Sequence, residues 1–292
     1  MSQQALETLL DHLKLEKIEE GLYRGQSQAL GFGRVFGGQV IGQALSAAKE
    51  TVDNRFVHSF HSYFLREGND QTPIVYEVEN IRDGGSFSTR RVRAIQFGQT
   101  IFYMTASFQT EGEGYNHQST MPKVIGPEGL MSELEFYQKN LDKIPQQFHA
   151  KALADKPIDM RHVQQINPFK PDKMEPACQT WIKANGTLPD DQRVHRYLLS
   201  YASDFTFLPT ALLPHGESFM QPKMQVATLD HSMWFHRPFR MDEWILFSKE
   251  STSASSGRGL VRGEFFNQNG ELIASAMQEG VIRDHEKFPR KK

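Results

Sequence analysis

Residues 86–109 of this chain lie without a gap on residues 255–278, and six of the 24 aligned positions are identical: Ser86 with Ser255, Val92 with Val261, Arg93 with Arg262, Phe97 with Phe266, Gln99 with Gln268 and Gln109 with Gln278. Unrelated segments of that length share roughly one or two. A second match, at a slightly different offset, sets HSYFLR (61–66) beside SMWFHR (232–237). The surrounding signals also recur in order. A helical run, VFGGQVIGQALSAAKE from Val35, precedes the strand-like runs HSFHSYFL, IVYEVENI, SFSTRRVRAIQF and TIFYMTASFQ. Later the strand candidate QTWIKANG and a helix at 194–213, VHRYLLSYASDFTFLPTALL, precede QVATLDHSMWFH, WILFSKESTSAS, GLVRGEFFNQ and ELIASAMQEGVI. A duplicated chain folds as two copies of one plan. Here the plan is one helix packed on an antiparallel sheet of about five strands, an α+β layer.

The 292 residues leave room for two domains of ordinary size. The signals place the first at 1–115, a polar connector at 116–155 with a helix in MSELEFYQKNLDKI, and the second at 156–292. Asp83-Gly84-Gly85 and Phe97-Gly98-Gln99 supply turns between strands that pair as hairpins. In VIGQALSAA nearly every residue is apolar or small, which predicts a helix covered on most sides by a sheet curled around it. The opening run MSQQALETLLDHLKLEKIEEG reads as an amphipathic surface helix, and Arg290-Lys291-Lys292 as a frayed basic tail.

Composition removes several classes of function. A net charge of −2 gives no global attraction for nucleic acid or an anionic membrane. No window is apolar enough to insert into a bilayer, and the single cysteine, Cys178, points to a cytoplasmic protein without disulfides or a multi-cysteine metal site. GxSxG, HExxH, Walker A and GxGxxG are absent, so no nucleophile elbow, zinc helix or phosphate loop is expected. A hydrolase built this way would activate water directly, without a metal or cofactor.

The ordered set VFGGQVIGQAL, HSFHSYFLR, DGGSFSTRRV, FYMTASFQ, YASDFTFLPTAL, LDHSMWFHRPF, ESTSASSGRGLVRGEFF and ASAMQEG closely resembles the bacterial acyl-CoA thioesterase II (TesB) family over almost the whole chain. The resemblance implies a double hot-dog fold, in which two tandem domains wrap antiparallel sheets around central helices. It also implies hydrolysis of medium- to long-chain fatty acyl-CoA to free acid and coenzyme A, and a homo-oligomer, a tetramer.

The same resemblance singles out Asp204, Thr228 and Gln278 as the residues that bind and activate the attacking water. Read alone, Asp204 stands amid aromatic residues at a helix entry and could equally be a plain N-cap that stays ionised. The first repeat has Gly37 and Gly38 at the roughly equivalent place, an asymmetry that hints at function in one half. Gln278 could serve a structural cross-strand bond, with Gln109 as its repeat mate, and Thr228 is a β-branched strand residue by default. Backbone N–H groups of Gly37, Gly38 and Gln39 are candidate oxyanion donors; close packing of helix on sheet explains the glycines equally well. Among the histidines His58, His61, His231 and His236, His58 is the secondary candidate for substrate contact, against an ordinary hydrogen-bonded sheet histidine. Arg90, Arg91 and Arg258 could meet coenzyme A phosphates or simply line solvated strand faces. Two other functions stay open: an enoyl- or 3-hydroxyacyl-CoA hydratase with an essential His58, and a non-catalytic acyl-CoA binding protein in which Asp204 is only a cap.

Overall fold

Strict alternation of side chains builds the sheet. In β5 (Phe87–Gln96), Ser88, Arg90, Val92, Ala94 and Gln96 are buried while Arg91 and Arg93 face solvent, as a strand with one covered face requires. The computed structural model describes residues 2–30 and 33–289; the basic end at 290–292 lies outside them. The first half runs α1 (Ser2–Leu13), β1 (Glu16–Glu19), β2 (Leu22–Gly25), α2 (Gly37–Lys49), β3 (Phe56–Phe64), β4 (Ile74–Asp83), β5 and β6 (Gln99–Gln109). After the short helices α3 (Glu133–Lys139) and α4 (His149–Ala152) come β7 (Ile158–His162), β8 (Ala177–Ala184), α5 (Gln192–Ser203), a 3-10 helix (Leu208–His215), β9 (Met224–Thr228), β10 (Asp230–Phe235), β11 (Ile245–Ser255), β12 (Arg258–Asn267) and β13 (Leu272–Asp284).

These strands form one sheet in the order β1-β2-β4-β5-β6-β3-β10-β13-β12-β11-β8-β7, with β9 added on β13. Outward from the β3–β10 seam the two halves read identically, strand for strand. At the seam His61 pairs with Ser232, the residues that head the second sequence match. α2 lies under β4, β5 and β6 and is buried from 38 to 48; the 3-10 helix lies in the corresponding place under β11, β12 and β13. This is the double hot-dog arrangement. α2 also packs on α5, so helices from the two halves meet at the centre, and one hydrophobic cluster spans both, from Phe60 and Phe102 to Tyr201, Phe207 and Phe247.

Several expectations shift in detail. α1 does turn Leu6, Leu9 and Leu13 inward, but it stops at Leu13, and 16–19 form an edge strand. The connector helix is cut to α3, which starts with a capping box between Ser132 and Glu135 and ends at Asn140. The helix expected over 194–213 is broken after Ser203: Thr206 takes φ +57°, and Pro209 suits only the first turn of a new helix. The strand expected over QVATLDHSMWFH is interrupted at Leu229, whose N–H bonds to Glu279 and whose carbonyl accepts from Phe64 of β3. No described helix is long and apolar enough to cross a membrane.

Candidate active site

Asp204 occupies the break that ends α5. Its Oδ1 accepts a bond from Gln278 Nε2 at 3.0 Å and a longer one from Thr228 Oγ1 at 3.4 Å. Gln278 Nε2 also donates to Thr228 Oγ1 at 2.6 Å. The other carboxylate oxygen, Oδ2, accepts from the backbone N–H of Gly38 at 3.0 Å. Two side chains and one backbone amide therefore converge on a single carboxylate.

Each partner is placed by a local feature. Gln278 sits on the inward face of β13 with Ala274, Ala276 and Gly280, and is fully buried. On one side of it β13 pairs Met277 with Ser232 of β10; on the other it pairs Gly280 with Thr228 of β9. Residues 229–231 face 278–279 across that change of partner, an extra residue that bends the strand beside the site. Gly38 belongs to the first turn of α2, where N–H groups have no helical partner. A Cβ on Gly37 would stand 2.6 Å from Asp204 Oδ2 and 3.0 Å from the Phe64 ring, so only glycine lets the carboxylate approach. A Cβ on Gly38 would collide with the Tyr201 carbonyl. Around the polar group, Phe36 stacks on Phe205 at 4.3 Å and meets Tyr201 edge-on at 5.2 Å.

The reading of Asp204 as the cap of the helix it precedes is corrected. The 3-10 helix has Phe207 at its start and no side-chain cap. Asp204 instead caps α2, across the two halves, and Gly37 and Gly38 are its neighbours in space. Its acidity also differs from that of an ordinary capping carboxylate. Burial pushes the Asp204 carboxyl above its ordinary value, outweighing the bonds from Gln278, Gly38 and Thr228 and the attraction of Arg34. Asp204 and Thr228 nevertheless keep some accessible surface. A desolvated yet reachable carboxylate is a stronger base than an exposed one.

Other expected residues lie elsewhere. The Gly38 N–H is occupied by Asp204 and the Gln39 N–H by the Phe36 carbonyl, so neither is a free oxyanion donor. The Gln39 side chain is tied to Gln26 and Gln28. His58 bonds to Ser107 Oγ at 2.8 Å and lies against the edge of Phe87. It stands six residues along β3 from Phe64, about 20 Å at the strand rise. Arg90 is corrected from a phosphate contact to a structural residue, because it is buried and bonded to Thr51, Arg82, Thr89 and Asp83. Arg91 and Arg258 are surface residues paired with Glu79 and Glu279. Among the described residues no group of three His, Cys, Asp or Glu side chains could hold a metal ion. Sequence reasoning missed Arg34, which bonds Val226 of β9 and Glu67 and acts on Asp204; no motif marks it.

A family model described as acyl-CoA thioesterase matches residues 148–281, and one described as acyl-CoA thioesterase N-terminal domain matches 26–109. The chain is 47% identical over 279 residues to Acyl-CoA thioesterase 2 of Haemophilus influenzae, covering 95% of this chain and 98% of that one. The chain belongs to the acyl-CoA thioesterase family. This thioesterase is also 41% identical to human acyl-coenzyme A thioesterase 8, over 93% of its own length and 87% of the relative's. The crystal structure of an acyl-CoA thioesterase II from Mycobacterium marinum, 42% identical, superposes with a TM-score of 0.78 and covers 96% of this thioesterase and 100% of that chain. A hot-dog protein from Alicyclobacillus acidocaldarius, at 19% identity, shares the fold over 94% of this thioesterase and 98% of its own chain, with a TM-score of 0.75.

Proposed function

We propose that this thioesterase hydrolyses medium- to long-chain fatty acyl-CoA by direct attack of water, with Asp204 as base and Thr228 and Gln278 as the groups that hold the water. The observation that carries this reading is the convergence of Gln278 and Thr228, themselves hydrogen-bonded to each other, on Asp204 Oδ1. Water gives its proton to Asp204 as its oxygen bonds to the thioester carbonyl carbon; the tetrahedral oxyanion then expels the thiolate, which takes the proton back. A thiolate leaves readily, so no acid stronger than the protonated Asp204 is required. Of the three amides expected at the oxyanion, Gly37 N–H remains the candidate. The neighbouring aromatic residues keep bulk water away, which strengthens each polar contact.

The bond from Gly38 also favours the non-catalytic reading, in which Asp204 is only a cap. Asp204→Asn separates the two, because asparagine keeps an acceptor for Gly38 and caps as well as aspartate. With palmitoyl-CoA as substrate, Asp204→Asn and Gln278→Ala should each lower kcat for thiol release by about tenfold to a thousandfold while the protein stays folded. Full turnover by both folded variants would sink the residue assignment, and no release by the native chain would remove hydrolysis itself. The hydratase reading needs His58 paired with an acid, and its ring is engaged by Ser107 instead. We take 1–115 and 156–292 as the two copies joined by 116–155. A homotetramer is supported by the family resemblance, and a cytoplasmic location by the lone cysteine.

A further inference from the structure

We infer that His231, backed by Ser203, is a positioning residue that fixes the orientation of the Gln278 side-chain amide. The inference rests on the reading of Gln278 as a water-holding group. Ser203, His231 and Gln278 are all fully buried. His231 Nε2 lies 3.0 Å from Ser203 Oγ, and the ring is gripped between Phe60, stacked at 5.9 Å, and Phe207, edge-on at 5.7 Å. Two polar atoms in this buried group lack a partner of good geometry: His231 Nδ1 and Gln278 Oε1. They are complementary, and the Gln278 amide does act on the imidazole, favouring its protonation against the burial that pushes it down to about 4. A neutral imidazole carries one N–H and one lone pair.

The carboxylate decides which nitrogen holds the proton. Gln278 must turn Nε2 toward Asp204, since the reversed amide would set Oε1 at 3.0 Å from Oδ1, oxygen against oxygen. Oε1 then faces away from Asp204 and needs a donor, which His231 supplies as Nδ1–H. His231 Nε2 is left as the acceptor for the Ser203 hydroxyl, whose alternative partner is the Ser200 carbonyl at 2.8 Å. The chain Ser203 to His231 to Gln278 to Asp204 thus runs donor to acceptor without a break. Neither Ser203 nor His231 touches the reacting atoms. Losing the His231 contact frees the amide to rotate, and an amide that presents oxygen to the water site holds the nucleophile in the wrong sense.

The test compares His231→Leu, which keeps bulk, with His231→Asn, whose side-chain N–H replaces Nδ1–H, each in the native and the Gln278→Ala background. His231→Leu should lower kcat by about tenfold with KM within about twofold, and His231→Asn should recover kcat to within about threefold of native. In the Gln278→Ala background, His231→Leu should cost nothing further, because the group it positions is gone. Equal kcat for native and His231→Leu, equal loss in Leu and Asn variants, or losses that multiply with Gln278→Ala would each overturn the inference. Should His231→Leu fail to fold, Ser203→Ala keeps the ring packing and should lower kcat by about threefold; native kcat there overturns it. Native kcat in Gln278→Ala alone refutes the water-holding reading instead, so the two failures are distinguishable.

Discussion

Asp204 is legible in the sequence as an acid out of place among aromatic residues, and the fold surrounds that oddity with hydrogen-bond donors. Because burial raises its pKa and the proposed base acts when unprotonated, kcat/KM should fall as pH drops through a value above the ordinary carboxylate range of about 3.9. A pH–rate profile checks this; activity that stays flat down to about pH 4 would contradict it. Gly37 offers a second probe. Its substitution by alanine places a Cβ 2.6 Å from Oδ2 and must displace the carboxylate. Gly37→Ala should cost at least about tenfold in kcat, since small misplacements of reacting groups are expensive; the same thiol-release assay measures it. Arg90 and Arg91 teach the opposite lesson. They are adjacent in a basic run, yet one is buried and spoken for while the other faces water, and composition alone could not tell them apart.

Strands were legible wherever period-two alternation and glycine turns coincide, as in β5 and β6. Phase was not. Gln109 pairs with Phe87 and Phe56 at the end of β6, whereas Gln278 pairs with Val261 within β13, so the two glutamines are not structural mates. The connection between β5 and β6 spans 97–98, while that between β12 and β13 spans 268–271, and a gapless alignment cannot absorb the difference. The break in the 194–213 helix was masked by apolar periodicity that continues through it, although Pro209 marks it in the sequence. Gly280 shows how tightly the resulting strand is fitted: a Cβ there would strike Leu208 and lie 2.8 Å from the Ala227 carbonyl of β9. Gly280→Val should therefore destabilise the protein by about 1–3 kcal/mol. A urea midpoint equal to that of the native chain would show that β9 yields more easily than this packing implies.

The two copies share a sheet through β3 and β10, a helix contact between α2 and α5, and one core. Unfolding followed by calorimetry and by circular dichroism should accordingly give a single, coincident transition; two separate transitions would mean that the halves are energetically independent. Duplication, the α+β layers, the family resemblance and the candidate Asp204, Thr228 and Gln278 could all be read along the chain, because backbone periodicity, turn chemistry and motif order are local properties. The cap from Asp204 to Gly38, 166 residues apart, the buried pairing of Gln278 with its neighbours and the raised carboxyl pKa came from the folded chain alone. Desolvation and hydrogen-bond geometry depend on which distant segments meet, and that is set only when the two halves pack.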